Sequence, residues 1–138
     1  MPAVSSLMRP FPYFAAPETS VAQVIKLMNE HQIRHLPIKQ GDRIVGIVSE
    51  RDLRWLGNPK LDLPITYEIP VCQVMTYDPY LVEIDTPLAV VIDEMTEQKI
   101  GAAIIVHSNK LAGIITTIDL CQALSELLKD EYTCMSGA

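Results

Sequence analysis

The sequence predicts an α/β fold of the α+β kind: two pseudo-symmetric units, each read as a strand-poor entry, helix, strand, turn, strand and helix, packed as one pair. Three observations carry this. The first is that the chain repeats itself at an offset of 67 residues: Met8 returns as Met75, Pro12-Tyr13 as Pro79-Tyr80, Thr19 as Thr86, Met28 as Met95, Gly46-Ile47 as Gly113-Ile114, and Asp52-Leu53 as Asp119-Leu120. No gap is needed between positions 8 and 53, and 15 of those 46 positions are identical. The second is that each copy turns from helical to strand periodicity at the same point. The third is size. In a chain of 138 residues one copy alone buries too little surface to be more than marginal, so the copies are expected to share a core about a pseudo-twofold axis. Such packing builds clefts in related pairs, which suits a two-site device better than a one-site enzyme.

The sequence divides into a first motif at 4–57, a linker at 58–70, a second motif at 71–128 and a tail at 129–138. In the first motif Val21, Val24, Ile25 and Met28 form one apolar stripe at i, i+3, i+4, i+7 spacing, the mark of an amphipathic helix. Leu88, Val91, Ile92 and Met95 repeat it, with Thr86 expected as N-cap and Pro87 at the first helical position. Two β-rich runs follow in each copy, 33–39 with 43–49 and 100–106 with 110–116. They flank the short turns Gln40-Gly41-Asp42 and His107-Ser108-Asn109, whose Gly and Asn tolerate turn angles. A second helix is expected from Glu50 and again from Thr117. The latter is longer, since Leu120, Leu124, Leu127 and Leu128 continue its apolar face. Pro59, Pro64 and Pro70 mark the linker, and Trp55 and Tyr67 are expected to pack it against the pair. The polar tail is expected to fray.

Composition narrows the function. Apolar residues make up 49% and charged residues 20%, as in folded proteins. A net charge of −6 argues against nucleic acid as a partner, although a local Arg cluster can still hold one small anion. Three cysteines, Cys72, Cys121 and Cys134, suit a reducing compartment. No leader pattern opens the chain and no apolar run approaches the ~20 residues that span a bilayer, so no membrane role and a cytoplasmic location are expected.

The chemistry-bearing pattern is G-x-x-S/T-x-x-D. Gly46, Ser49 and Asp52 become Gly113, Thr116 and Asp119. Each hydroxyl stands where a strand opens into a helix. There it can cap the helix, or the N–H groups beside it can face a phosphate. A carboxylate one turn in can accept both hydroxyls of a ribose. It can also serve only as a first-turn acid favoured by the helix dipole. One such pattern is weak; the same pattern at the same point of two repeats is strong. The cysteines and histidines lack zinc-ligand spacing, and no P-loop or nucleophile elbow is present, so neither a metal site nor a catalytic residue is expected.

These segments resemble the CBS motif, the repeat first named for cystathionine β-synthase, in its tandem arrangement, the Bateman module. The residues that carry the resemblance are Leu7-Met8 and Val74-Met75-Thr76, the string from Ile33 to Ile38, and the run from Arg43 to Leu53 with its echo from Lys110 to Leu120. It covers about 4–57 and 71–128. The resemblance implies two pseudo-symmetric βαββα units forming a stand-alone CBS pair with two clefts. Its regulatory ligand would be an adenine nucleotide, AMP, ADP or ATP, with no obligatory cofactor, and its occupancy would control an unidentified partner protein. For the second-motif cleft it implies Thr76, Ile100, Thr116 and Asp119, with Arg34 and His35 opposite to meet phosphate. For the first-motif cleft it implies Arg9, Ile33, Ser49 and Asp52, with Arg51 partly replacing the opposing cations. The positions equivalent to Arg34 and His35 are the uncharged Gly101 and Ala102. A homodimer through the leucine-bearing helices is the implied assembly. The alternatives are S-adenosylmethionine, NAD or another adenosyl ligand, an interaction module with vestigial clefts, and, third, an enzyme.

Overall fold

A computed structural model describes residues 1–54, 56 and 68–136, with side chains through Glu131. Most of the proposed linker, with Trp55 and Tyr67, lies outside the described residues. The elements run β1 (Arg9–Pro10), α1 (Val21–His31), β2 (His35–Gln40), β3 (Arg43–Ser49), α2 (Glu50–Arg54), β4 (Thr76–Tyr77), β5 (Leu81–Glu83), α3 (Leu88–Gln98), β6 (Ala102–His107), β7 (Lys110–Thr116) and α4 (Thr117–Ser136). One sheet has the order β2-β3-β4 and the other β1-β7-β6-β5. The hairpins β2/β3 and β6/β7 are antiparallel, and both shift register at equivalent points, Ile38/Lys39 and Ile105/Val106.

The central strands β2 and β6 begin two residues later than periodicity predicts. The reason lies at the preceding helix ends. Gln32 and Lys99 close α1 and α3 in the left-handed conformation, with φ of 53° and 56°, and the chain must turn out before it extends. The start of α1 is a side-chain cap, Ser20 Oγ accepting from the Gln23 N–H at 3.2 Å. The start of α3 is not, which corrects the expectation for Thr86. Pro87 itself is the N-cap, extended at ψ 136°, and makes no side-chain cap bond. Its neighbours are held instead by the chain's first residues: Val4 N–H donates to Thr86 O at 2.7 Å, and Leu88 N–H to Pro2 O at 2.9 Å.

That contact belongs to an exchange between the motifs. Val4, fully buried, sits in the core of the second motif with Val82, Val91, Ala103, Ile105 and Ile115. Val71 and Met75 sit in the core of the first, with Val24, Leu36, Ile38 and Val48. The mirror-image bonds are Val71 N–H to Thr19 O at 2.8 Å and Val21 N–H to Ile69 O at 2.9 Å. The short strands follow suit, β1 pairing with β7 and β4 with β3. Each lead-in segment thus completes the other motif's sheet. The two repeat glycines make room for it. A Cβ on Gly46 would stand 2.6 Å from Met75 Sδ and 2.9 Å from Thr76 O; one on Gly113 would collide with Met8 Sδ and lie 3.0 Å from Arg9 O. Each buried aliphatic side chain so placed is worth about 1.5–3 kcal/mol, so the exchange ties the halves together through two cores, one per motif, where the sequence predicts a single shared one.

α4 does not end near Leu128. It continues as helix to Ser136, through residues expected to fray, since no Gly or Pro interrupts it before Gly137.

Candidate functional site

Both carboxylates of the repeated pattern sit at the N3 position of a capping box. On α2, Ser49 N–H donates to Asp52 Oδ2 at 3.0 Å, and Asp52 N–H donates back to Ser49 Oγ at 3.1 Å. On α4, Asp119 Oδ2 accepts from Thr116 N–H at 2.9 Å and from Thr116 Oγ1–H at 3.0 Å. The capping role is therefore real at both positions. It fixes each carboxylate's rotamer and commits Oδ2 to the helix start, leaving Oδ1 outside the capping box.

At Asp119 that second oxygen is engaged. Arg9 Nε–H donates to Asp119 Oδ1 at 2.8 Å. The pair is lopsided, the arginine side chain 61% exposed and the carboxylate side chain 9%. Strand exchange causes this meeting: β1 lies on β7 with Arg9 opposite Ile114. The equivalent pairing sets Thr76 opposite Ile47 on β3, toward the Asp52 motif. The grouping expected from the sequence is thereby corrected. Arg9 belongs with Asp119 and Thr76 with the Asp52 side, because each lead-in strand joins the other motif's sheet.

A cavity of about 290 Å³ opens beside Arg9 and Thr116. Ile33, Arg34, His35 and Gly101 line it with them. This too regroups the expected residues. Ile33 joins the Thr116 cleft, whereas Ile100 packs against the second core. The cause is pseudo-symmetry: the equivalent positions 34–35 and 101–102 converge near the axis. A Cβ on Gly101 would lie 3.4 Å from His35 Nε2, so the absence of a side chain there leaves room for the imidazole. Matching backbone bonds hold both corners, Glu50 N–H to Arg34 O at 2.7 Å and Thr117 N–H to Gly101 O at 3.0 Å. Gln32, Ile114, Thr117 and Ile118 also line the cleft, and sequence reasoning missed them. Thr117 and Ile118 were detectable as the first residues of α4 and Gln32 as the residue that closes α1, whereas Ile114 depends on the exchanged sheet.

His35 stands where both motifs are felt. Burial lowers its pKa from the ordinary 6.5; Asp52 and Asp119 oppose the shift and Arg34 adds to it. Arg34 is largely exposed, with Nε 3.6 Å from Glu50 Oε2, a carboxylate that also holds Arg54 Nη2 at 2.9 Å. An exposed pair at that distance is worth little, so the guanidinium can turn to another anion at small cost. Arg51 is exposed on α2. His31 is exposed and stacks on Tyr13 with ring centroids 3.7 Å apart.

The cleft thus gathers two guanidiniums and an imidazole beside a helix N-terminus, with an aliphatic wall from Ile33 and Ile114. Its volume is near the lower end for small-molecule sites. A flat apolar group and an anionic group would both find complementary surface. A second cavity, of about 910 Å³, lies at the hairpin-turn end near Asp42, Arg43, Tyr77, Asp78 and Asn109. None of the G-x-x-S/T-x-x-D residues lines it.

The family model described as CBS domain matches residues 4–56 and 71–126. The crystal structure of a protein assigned to acetoin utilization (AcuB) from Vibrio cholerae superposes with a TM-score of 0.80, at 28% identity, covering 96% of each chain. The crystal structure of CBSX2 in complex with AMP gives a TM-score of 0.77 at 28% identity, over 92% of this chain and 98% of that one. Inosine-5'-monophosphate dehydrogenase of Staphylococcus epidermidis is 32% identical over 130 residues, 88% of this chain but 24% of that protein. The chain spans from about a quarter to about half of the length of the first curated relatives it matches.

Proposed function

This chain belongs to the CBS-domain family, and from that premise we propose that it is a regulatory module that binds an adenine nucleotide in the Thr116–Asp119 cleft. One observation carries the reading: Arg9, Arg34, His35 and Thr116 surround a single cavity, with Asp119 directly behind Arg9 and Thr116. The cations suit phosphate, the aliphatic wall suits a base, and the carboxylate suits a ribose diol. CBSX2, bound to AMP and 28% identical, supports the ligand class. The Asp52 side keeps its capping box, but the second-motif positions equivalent to Arg34 and His35 are the uncharged Gly101 and Ala102, so we read it as the weaker site.

Occupancy would act by population shift. A ligand that contacts elements of both motifs favours whichever arrangement holds those contacts, and a partner protein reads the difference. We place the module in the cytoplasm, as a homodimer that regulates and does not catalyse. No described helix is long and apolar enough to cross a membrane. Calorimetry of the wild-type protein against AMP, ADP, ATP, NAD and S-adenosylmethionine tests the ligand class. The expected result is saturable binding of at least one adenine nucleotide, recovered intact by chromatography after prolonged incubation. Binding of none, or steady conversion to product, would defeat the proposal.

A further inference from the structure

The two motifs differ at one position that matters for ligand choice. Where the second motif brings Thr76 to β3, the first brings Arg9 to β7. Asp119 Oδ2 is already committed to the Thr116 N–H and O–H groups. Its Oδ1 is the oxygen left to receive a ligand hydroxyl, and Arg9 Nε–H rests on it at 2.8 Å. Asp119 itself is not on the cavity wall, while Arg9 and Thr116 are. A ligand diol therefore reaches the carboxylate only after the guanidinium has moved aside.

We infer that Arg9 is a latch that makes this cleft selective for phosphorylated ligands: it covers the Asp119 oxygen needed by a ribose and yields when the ligand offers the guanidinium a phosphate. This rests on the nucleotide reading above and specifies how the site chooses within that class. A neutral nucleoside must break the Arg9–Asp119 pair and offers the guanidinium nothing in return. A nucleotide breaks the same pair, and its phosphate replaces the carboxylate as partner in a charge-assisted, geometrically matched contact. Arg9 can make this exchange because its side chain is 61% exposed and fixed at one end only, by a two-residue strand. Arg34, held loosely by Glu50, lines the same cavity and adds a second phosphate partner.

The test compares adenosine and AMP binding by calorimetry in the wild type, in R9T, which places the second motif's residue in the first, and in R9K. With the guanidinium largely in solvent, breaking the ion pair costs about a two- to fivefold factor, so adenosine should bind about two- to fivefold tighter to R9T. AMP should bind about tenfold weaker, losing one charge-assisted phosphate contact. The AMP-to-adenosine selectivity then falls by more than about tenfold, and R9K, charged but without the planar fork, lies between. R9Q, neutral and of similar length, carries the same expectation and is scored in place of R9T should R9T melt before binding is measured. If AMP binds the wild type and the selectivity of the neutral variant stays within about twofold, the latch is overturned and the nucleotide reading stands. If no variant and no wild-type protein binds either ligand, both fall together.

Discussion

At the scale of single residues, the repeated G-x-x-S/T-x-x-D pattern was legible because its chemistry is local. A hydroxyl at a helix start and an acid three residues on must meet, whatever surrounds them, and Ser49 with Asp52 and Thr116 with Asp119 do. The partners of those acids were not legible. Arg9 lies 110 positions from Asp119, and nothing local in either segment announces that β1 crosses to β7. His35 yields a prediction at this scale. Its folded-state pKa is depressed below 6.5, chiefly by burial. The unfolded chain therefore takes up the proton first as pH falls through 6.5. Stability from this site is fully present above 6.5 and declines below it, until the folded imidazole protonates as well. Urea unfolding at pH 7.5 and 5.5 should show the wild type losing more stability on acidification than H35Q. Equal losses would mean that His35 carries no such linkage.

At the scale of elements, the helices α1 and α3 and the two hairpins were predicted within a few residues, because amphipathic stripes and turn residues are properties of the segments themselves. The misses were junctions. Thr86 gave way to Pro87 as N-cap because the chain's own N-terminus bonds there, and α4 ran on to Ser136. The repeat glycines gained a meaning that spacing alone did not give: each lets the lead-in segment of the other motif approach a central strand. G46A should destabilise the protein by about 1–3 kcal/mol, because the new methyl meets the Thr76 carbonyl as well as the pliable Met75 side chain. A melting temperature within a degree of the wild type would show that β4 can shift freely and that the close approach is unimportant.

At the scale of the whole molecule, the duplication correctly announced a paired fold. It did not reveal that each motif's core is finished by a residue from the other's lead-in, Val4 in one and Val71 in the other. Sequence periodicity reports which residues are buried and not against what. The same limit applies to α4. Leu120 packs against the second core, while Leu124, Leu127 and Leu128 remain exposed, as do Val90 on α3 and Ile118. A single chain leaves these side chains in water, and a homodimer would cover them. Light scattering at micromolar concentration should give twice the 15.4 kDa chain mass. L124E, which would bury an unpaired charge in that interface, should give the monomer with unchanged circular dichroism. A wild-type monomer that persists as concentration rises would remove the dimer from the account.

The central claim is that the carboxylate held by Thr116 and covered by Arg9 receives the ribose of an adenine nucleotide. The most direct measurement is the affinity of D119A for AMP, set against wild type by calorimetry, with a thermal melt of both proteins as the control for folding. A hydrogen bond from the ribose to this charged oxygen contributes about 1.5–3 kcal/mol before water compensates, so the variant should bind at least about tenfold more weakly. Loss of the capping acid should lower ligand-free stability by only about 0.5–2 kcal/mol. Wild-type binding of AMP with an undiminished affinity in D119A would contradict the claim, and would move the ribose away from α4.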